Sequence, residues 1–469
     1  MSNAALRTCA LVVLAGALLA RGQTGQEQQQ TPPPASANAP RQNEPDNASQ
    51  ADFENWNAYW QATSIGQYHG AFHAPYTGPN SLENYPERDV SLTTTLFIGL
   101  RVQRDTQVYF NPEIAGGRGF SGVTGIANFP NGELPRVASA TPKPYIARLY
   151  IQHDFGFGDA REPVESDANQ LGGDRPQVRY TIYAGRFTMT DFFDNNRYSH
   201  DPRTQFMGWA TMYNGAWDYP ADTRGYTWGW VHEFHARSWS LRYGSGAMPT
   251  NANGPRFDRR ILRDRGDVAE LEFRYAPGGH TGAVRFLSYL NHYRGGSYVN
   301  AVRLSQETGE PPDLNLTRRV GTRKYGFAVN AEQELTKDAG VFLRLGWSDG
   351  KNQDFVFTAM DRLASGGFSI TGSRWNRRYD TAATAVTVGG ISGIHALYLA
   401  RGGLDFIIGD GRLNYGPEYV WESYYSARVF PWLFASFDIQ RIVNPAYNRD
   451  RGPLWAPSIR LHVEAKLRR

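Results

Sequence analysis

The sequence predicts an all-β chain that closes into a transmembrane antiparallel β-barrel of about 16 strands. Short runs of alternating apolar and polar residues recur along the chain, and turns rich in Gly, Pro, Asn and Asp separate them. The connections between these runs alternate between long and short, which is typical of short periplasmic turns and long extracellular loops. The mean hydropathy of −0.53 is compatible with a membrane barrel, because only every second strand residue faces lipid.

Two segments at the N-terminus are expected to lie outside the barrel. Residues 1–22 contain one basic residue, Arg7, and then an apolar run over 9–20 that is shorter than the roughly 18 residues of a spanning helix. We interpret this segment as a signal peptide, cleaved after export through the inner membrane. Residues 23–52 are rich in Gln and Pro and are predicted to be disordered. The barrel then covers 53–469, and its predicted location is the bacterial outer membrane.

The alternation within single runs predicts two different barrel faces. Val90, Leu100 and Val102 share one face of their strand, whereas Arg101 lies on the other. The last run repeats this pattern, with apolar residues between 459 and 467 alternating with charged ones. A half-buried soluble sheet would give the same alternation. The repeated charges on the polar face favour a water-filled lumen, as a barrel of this strand number leaves an aqueous channel.

The predicted strands number sixteen, with boundaries uncertain by a few residues. They are placed near residues 56–68, 89–102, 106–114, 144–156, 178–189, 225–235, 238–247, 267–276, 282–293, 322–334, 340–348, 366–375, 380–390, 415–428, 433–443 and 457–467. The long connections are 69–88, 115–143, 190–224, 294–321 and 391–414. The connection 158–177 falls among the short ones but is longer than that pattern predicts.

The polar strand face predicts a lumen that carries charges of both signs. Its lumen-facing candidates are Arg101, Arg148, Arg179, Glu270, Arg274, Arg344, Glu418 and Glu422. Because both signs are present, we expect little preference for anions. The net charge of +4 is slight and indicates no nucleic-acid partner; outer-membrane lipid is the expected surrounding.

The third long connection, between the fifth and sixth strands, is the candidate functional segment. Its length indicates a functional or disordered loop, and its aromatic content argues against disorder. We interpret it as a loop folded into the lumen; an ordinary external loop packed by its own aromatic residues is the alternative. Sugars need polar partners for their hydroxyls and flat apolar faces for their rings. The candidate constriction residues are Asp191, Asp194, Asn195, Asn196, Arg197, Asp201, Arg203, Gln205, Trp209, Asn214, Trp217 and Asp218. Internal pairing, for example of Asp201 with Arg203, is the alternative role for them.

Several longer motifs resemble one known family, the carbohydrate-selective porins of the OprB type. They are DNNRYSHDPRTQF (194–206), NGAWDYPADTRGYT (214–227), the segment 398–425, NPAYNRDRGP (444–453), IRLHVE (459–464), QYHGAFHAPYTGPNSL (67–82) and FPNGE (129–133). The resemblance extends over roughly residues 55–467. It implies a sixteen-stranded outer-membrane barrel through which sugars diffuse, with an inward loop narrowing the lumen.

The function we expect is passive, weakly selective diffusion of small neutral sugars, both mono- and oligosaccharides, through this lumen. The alternatives are a general or anion-preferring porin, and a plugged outer-membrane barrel with ligand-binding or hydrolase activity. No G-x-S-x-G motif occurs, so no catalytic residue and no enzymatic activity are predicted. The sequence leaves open whether the subunit works alone or as a homotrimer.

No cofactor and no metal site are predicted. His69 and His73 have a metal-ligand spacing only on a helix, which Gly70 and Pro75 disfavour. The Asp and Asn residues of 191–196 could bind calcium through oxygen atoms, but they lack the order of a calcium-binding loop.

Overall fold

The computed structural model describes residues 53–134 and 141–468. The predicted signal peptide and the Gln- and Pro-rich segment lie outside the described residues. Within the described ranges, no helix is both long enough and apolar enough to cross a membrane.

Sixteen antiparallel strands form one closed barrel, which confirms the predicted fold class. They are β1 (Trp56–His69), β2 (Glu87–Gln103), β3 (Thr106–Gly117), β4 (Lys143–Gly156), β7 (Arg179–Phe187), β8 (Thr227–His235), β9 (Trp239–Ala247), β10 (Arg265–Tyr275), β11 (Gly282–Gly295), β12 (Arg319–Thr336), β13 (Ala339–Ser348), β14 (Arg362–Gly372), β15 (Arg377–Gly390), β16 (Glu418–Phe430), β17 (Leu433–Val443) and β18 (Leu454–Arg468). A separate hairpin of β5 (Arg161–Val164) and β6 (Gly173–Pro176) lies between β4 and β7 in the chain. Each strand pairs with its neighbour, and β18 pairs with β1 to close the cylinder.

The two rims of the barrel differ in the length of their connections. One rim, the short-turn rim, carries the first residue of β1, the last residue of β18 and tight turns such as 104–105 and 337–338. The other, the long-loop rim, carries eight loops, which we name L1 (70–86), L2 (118–142, described to 134 and from 141), L3 (188–226), L4 (248–264), L5 (296–318), L6 (349–361), L7 (391–417) and L8 (444–453). The described α-helices belong to these loops: α1 (Trp209–Met212) to L3, α2 (Tyr298–Thr308) to L5 and α3 (Gly393–Ala400) to L7.

Strand alternation separates an apolar outside from a polar inside. Phe273, Phe286 and Phe327 point outward and are about half exposed, as expected of side chains that face lipid. The intervening side chains, such as Asn330 on β12 and Arg344 on β13, are buried inside the cylinder. Successive strand residues point to opposite faces, so one polar residue in every two is enough to line the interior.

The connection between β4 and β7 folds against the inner side of the short-turn rim. Arg101 donates from its guanidinium to the carbonyls of Glu54, Arg104 and Gly172, at 2.8, 2.8 and 2.9 Å. Lys466 near the end of β18 reaches the Glu54 carboxylate at 2.7 Å. Within the connection itself, the Ser166 hydroxyl contacts Tyr59 of β1 and Lys466 of β18, each at 2.8 Å. The segment is therefore fastened to the first and last strands of the barrel.

Three loops, L2, L3 and L6, fill much of the interior. The inward position predicted for L3 is confirmed, and L2 and L6 join it there. Phe129 of L2, Trp217 of L3 and Phe355 of L6 belong to one buried apolar cluster and are at most 1 % exposed. The lumen is therefore narrower than a water-filled cylinder with one inward loop, since a packed apolar core occupies part of it.

Candidate functional site

Carboxylates on the barrel wall hold the backbone of L3. Glu270 of β10 accepts the amide of Asp194 at 2.8 Å, and Glu332 of β12 accepts that of Arg197 at 2.7 Å. Further round the wall, Glu422 of β16 accepts the amides of Met207 and Gly208. A buried loop amide needs a hydrogen-bond acceptor, and ionised acceptors give the stronger bonds. The inward glutamates thus fix L3 across the barrel.

Two buried arginines bind the carbonyl side of the same loop. Arg344 of β13 donates to the carbonyls of Ser199 and Thr211, at 2.6 and 3.1 Å. Arg460 of β18 donates to the carbonyls of Pro202 and Gln205, at 2.7 and 2.6 Å. Both arginine side chains are completely buried, so they belong to the interior packing and are not free charges in a pore.

L2 and L6 are fastened in the same way. Glu418 of β16 accepts the amides of Ala127 and Asn128 in L2, at 3.0 and 2.6 Å. Asp218 of L3 accepts three consecutive amides of L6, from Phe355 to Phe357. Burial raises the pKa of Asp218, against the opposing effects of Lys324 and these amides. The three inward loops therefore form one hydrogen-bonded body.

A cavity of about 220 Å³ remains between this body and the wall formed by β1 to β4. Its lining begins with Asp167–Asn169 near the short-turn rim and includes Asp222–Gly225 and Asn253 near the long-loop rim. Between these ends it is lined by Gln61, Phe97, Glu113, Glu133, Tyr145, Arg148, Asp191, Asn195, His200, Asp201, Arg203, Trp209, Tyr213, Tyr219, Tyr226 and Phe357, among others. Because lining residues come from both rims, the cavity follows the direction of a passage through the barrel.

Opposite charges are paired across this cavity. Arg203 of L3 reaches Glu113 of β3 at 2.9 Å and Glu133 of L2 at 2.7 Å. Arg148 of β4 forms a two-bond contact with Asp191, at 2.6 and 2.7 Å. Burial raises the pKa of Glu133 to about 7, although the Arg203 charge opposes this shift. The lining therefore consists of ion pairs in which one carboxyl group, that of Glu133, has a pKa near neutral pH.

His200 beside the cavity is held neutral. Burial, together with the positive charge of Arg344, lowers the pKa of His200 to about 3. Its ring lies edge-on to Tyr213, with ring centroids 5.0 Å apart. The histidine thus contributes ring surface and no charge to the lining at neutral pH.

Aromatic rings form the other part of the lining. Tyr219 and Phe357 have ring centroids 4.9 Å apart, and Trp209 stacks on Phe357 at 5.8 Å. On the facing wall, the guanidinium of Arg224 lies 4.0 Å above the ring of Tyr145. Ring faces next to hydrogen-bonding groups suit a solute that is polar at its edge and apolar on its face.

The predicted constriction residues divide into two groups. Asp191, Asn195, Asp201, Arg203 and Trp209 line the cavity. The remaining seven lie outside its lining and contact the wall or the other loops: Asp194, Asn196, Arg197, Gln205, Asn214, Trp217 and Asp218. The suggested pairing of Asp201 with Arg203 exists only as a contact of the Asp201 carboxylate with the Arg203 amide, at 3.0 Å. The Arg203 guanidinium contacts Glu113 and Glu133.

The eight predicted lumen-facing residues all project inward, but their surroundings differ. Arg148 lines the cavity. Glu270, Arg344, Glu418 and Glu422 bind the inward loops. Arg101, Arg179 and Arg274 lie towards the short-turn rim, where Arg179 pairs with Glu162 and Arg274 with Glu272. Most of these charges therefore stabilise loops and turns, because a packed interior requires partners for its polar groups.

Several lining residues did not enter the predicted site. Glu113 and Tyr145 lie on the inner faces of β3 and β4, and the alternation of those strands was the signal that could have identified them. Glu133 ends the FPNGE motif, and Phe357 lies in L6. A sequence pattern alone does not indicate that L2 and L6 also fold inward.

A second group of charged side chains is buried beneath L5, L6 and L7. Asp354, Asp361 and His395 place ligand-type atoms within 4.8 Å of one another. The ammonium group of Lys324 contacts Asp354 and lies 3.6 Å from Asp361. Burial disfavours a charged His395, but Asp361 and Asp405 outweigh it and raise its pKa. Since Lys324 already supplies a cation at this position, we interpret the group as an ion-pair network that joins the loops.

The residues of the two metal sites considered from the sequence contact other protein groups. Asp191 and Asp194, which could have bound calcium, pair with Arg148 and Arg344. His69 is buried and its Nε2 lies 2.9 Å from Glu87. These carboxylates and this imidazole are occupied by protein groups.

Comparison with known proteins places the chain among bacterial porins. A family model described as carbohydrate-selective porin, OprB family, matches residues 81–464. The high-pH structure of Pseudomonas putida OprB is similar with a TM-score of 0.66 and 15% identity, covering 87% of this chain and 94% of that one. The low-pH structure of that protein gives a TM-score of 0.46 at 11% identity over 87% and 93% of the two chains. Acinetobacter baumannii OccAB1 gives 0.48 at 9% identity over 90% and 100%. No curated protein sequence matches the chain.

Proposed function

Because this chain belongs to the carbohydrate-selective porin family, OprB, we propose that the cavity between L3 and strands β1 to β4 is its sugar passage. Small neutral sugars, both mono- and oligosaccharides, diffuse through it down their concentration gradient. The barrel excludes lipid, the inward loops narrow the bore, and the cavity lining contacts the solute.

The observation that carries this proposal is the composition of the lining. Its ion pairs, such as Arg148 with Asp191, supply donors and acceptors that exchange with the hydration shell of sugar hydroxyls. Tyr145, Tyr219 and Phe357 supply ring faces for the C–H surface of a pyranose. The polar groups and the aromatic rings are distributed along the cavity and do not form one enclosed pocket, since lining residues reach both rims. A weak site of this kind allows a solute to enter and to leave, as conduction requires.

The charge of the lining argues against an anion-preferring pore. Six carboxylates line it, Glu113, Glu133, Asp167, Asp191, Asp201 and Asp222, against three arginines, Arg148, Arg203 and Arg224. The arginines Arg148 and Arg203 are paired with carboxylates. We expect a slight preference for cations, because a lining with more negative than positive groups attracts cations.

One observation favours the second candidate, a plugged barrel that binds a ligand. L2, L3 and L6 together pack a core inside the lumen, and the remaining cavity is small. We assign no catalytic residue to that candidate. Conductance separates the two functions, because a plugged barrel carries no steady current.

The deciding experiment uses purified protein in planar bilayers and in liposomes. We expect small, weakly ion-selective channels whose current falls when glucose or maltose is added to both sides. Proteoliposomes should swell in a graded series of sugars, with rates that decrease as the sugar becomes larger. Channels whose current is unchanged by every sugar indicate a general porin. Absence of current together with saturable sugar binding indicates the plugged barrel.

The location and processing of the chain belong to the same proposal. We place the barrel in the bacterial outer membrane and propose removal of residues 1–22 as a signal peptide during export. Mass spectrometry of protein from outer-membrane fractions measures the new N-terminus directly. Native mass spectrometry in detergent distinguishes a single barrel from a homotrimer in which each subunit has its own passage.

A further inference from the structure

An accumulation of arginines lies on the outside of the barrel, at the long-loop rim. The segment 256–265 of L4 and β10 contains five arginines in ten residues, and β11 and β12 contribute more next to it. We define the arginine patch as Arg260, Arg263, Arg265, Arg294, Arg318, Arg319 and Arg323. The sugar passage does not use these residues, because none of them lines the cavity.

Strand register brings the patch together on the outward face. His292 of β11 lies opposite both Arg265 of β10 and Arg323 of β12. Leu290, two residues before His292, points outward and is exposed, so His292 shares its face. Arg319 pairs in register with Gly295, next to Arg294. The side chain of Arg318 donates to the Arg294 carbonyl at 3.2 Å, which connects L5 to the end of β11.

The patch carries more positive charge than its own carboxylates neutralise. Asp258 and Asp264 bind Arg260, and Asp267 binds Arg265. In the described part of the chain, no carboxylate lies within salt-bridge distance of Arg263, Arg294, Arg318, Arg319 or Arg323. Seven arginines therefore face three aspartates. Like charges this close repel one another, and a bound anion would relieve that repulsion.

Exposed apolar side chains accompany these charges. Leu262 and Leu316 in L4 and L5 are 75% and 70% exposed, and Val320 of β12 is 49% exposed. Below them on the barrel, Phe286 and Phe327 continue the apolar outer surface. A ligand that fits this arrangement has phosphates at the level of the loops and hydrocarbon chains along the strands. Guanidinium groups match phosphate oxygens through paired donors, and basic clusters at a membrane surface bind anionic headgroups.

We propose that the arginine patch binds the phosphate groups of the anionic glycolipid in the outer leaflet of the outer membrane. The lipid A portion of lipopolysaccharide has this chemistry, with phosphates on a sugar headgroup and several acyl chains. The inference rests on the outer-membrane location under the proposed function and does not require that the channel conducts sugar. Bound lipid would anchor L4 and L5 to the membrane at one side of the mouth.

The test compares two triple variants with the same change in charge. Arg294→Glu, Arg319→Glu and Arg323→Glu together remove three exposed arginines of the patch. Lys337→Glu, Arg374→Glu and Arg378→Glu together change three exposed cations at the short-turn rim and serve as the control. All six side chains are exposed, so both proteins are expected to fold, and heat-dependent migration of the folded barrel on gels verifies this.

The measured quantity is the affinity for purified lipid A in detergent micelles, by native mass spectrometry and by titration. Wild type and control should bind lipid A with both phosphates at least about tenfold more tightly than the patch variant does. Dephosphorylated lipid A should bind wild type as weakly as lipid A binds the patch variant. Equal binding by the two triple variants, or by lipid A with and without phosphates, overturns the proposal.

Two further arms separate this proposal from its alternatives. Millimolar inorganic phosphate should displace little lipid A; complete displacement would mean a site for free anions and would refute lipid recognition. Sugar-dependent currents recorded on the same samples should be equal in wild type and patch variant. Normal lipid binding without any sugar effect would contradict the proposed transport function alone, and the reverse result would contradict the lipid site alone.

Discussion

The guanidinium of Arg344 on β13 lies 3.0 Å from the carboxylate of Asp194 in L3, and both side chains are buried inside the barrel. The same carboxylate accepts the amide of Asn214 at 2.8 Å and the side chain of Asn330 at 2.7 Å. This ion pair connects the wall to both halves of L3. The position of the loop therefore depends on a few buried charges as well as on apolar packing.

Replacing Arg344 by Met should destabilise the barrel interior. The substitution leaves the Asp194 carboxylate buried without its counter-ion, which costs roughly 3–5 kcal/mol in comparable cases. The free energy of unfolding in denaturant, followed by tryptophan fluorescence in detergent, measures this loss. The double variant with Asp194→Asn should recover much of it, because the remaining amide is neutral. An Arg344→Met protein as stable as wild type would contradict the anchoring role.

Replacing Arg203 by Ala should widen the passage and alter its ion selectivity. The change removes the side chain that lies between Glu113 and Glu133, so two carboxylates then face the lumen without a cation. Single-channel conductance should rise, the reversal potential should shift towards cations, and inhibition of the current by sugar should weaken severalfold. Arg203→Lys keeps the charge and should lie between wild type and Ala. Unchanged conductance in the Ala variant would place the passage elsewhere.

Tyr145 offers a test of the aromatic contribution to sugar binding. Its ring lines the cavity, and its hydroxyl donates to Glu113. Tyr145→Leu keeps apolar bulk but removes the flat ring, and the concentration of sugar that halves the current should rise about threefold to tenfold. Tyr145→Phe keeps the ring and should retain most of the sugar effect. If Leu and Phe behave alike, the ring face does not contact the solute.

The barrel was largely predictable because strand alternation is a local signal. Each predicted strand, from 56–68 to 457–467, overlaps a strand of the closed sheet, with shifts of a few residues at most ends. The larger shifts go in both directions: β12 begins at Arg319 in place of residue 322, whereas β16 begins at Glu418 in place of residue 415. Strand ends depend on loop packing, and single-sequence patterns do not contain that information.

The candidate site was only partly predictable, because it is made by contacts between distant segments. L3 could be identified from its length and aromatic content. Glu133, however, reaches the cavity because L2 is held inside the barrel by distant residues, among them Glu418 on β16, which accepts the amides of Ala127 and Asn128. Strand alternation assigns a carboxylate to the lumen face in the same way whether it contacts water or a buried loop. The sequence therefore predicts on which strand face a residue lies but not which groups it contacts there. The contacts with sugar remain a prediction.

The charge of Glu133 should make ion selectivity depend on pH. Burial raises its pKa to about 7, so the group is neutral below that pH and negative above it. An unfolded glutamate has a pKa of about 4.3. Between that pH and about pH 7, Glu133 binds more protons in the folded state than in the unfolded state. Its contribution to the free energy of unfolding therefore falls as pH rises through this range. Reversal potentials in a salt gradient should shift towards cations between about pH 6 and 8. Glu133→Gln should remove the shift; a persistent shift would assign it to another group.

The ion-pair network beneath L5 to L7 should depend on Lys324. This side chain is completely buried and contacts Asp354, with Asp361 3.6 Å away. His395 contacts Asp361 and Asp405, each at 3.2 Å. Three buried carboxylates therefore share one lysine and the imidazole of His395, whose pKa Asp361 and Asp405 raise against the effect of burial. Removing the lysine leaves an excess of buried negative charge that the protein interior screens poorly.

Lys324→Met should consequently lower the free energy of unfolding by roughly 3–5 kcal/mol and loosen L6 and L7 first. Hydrogen exchange followed by mass spectrometry should show faster exchange in the 349–361 and 391–417 segments, with the barrel strands less affected. Arg323→Met, one residue away on the outward face, should change stability by less than about 0.5 kcal/mol. Adding Asp354→Asn to Lys324→Met should restore protection, since it removes the carboxylate left unpaired. Equal loss of protection in Lys324→Met and Arg323→Met, or unchanged exchange in Lys324→Met, would contradict a specific role of the Lys324 charge.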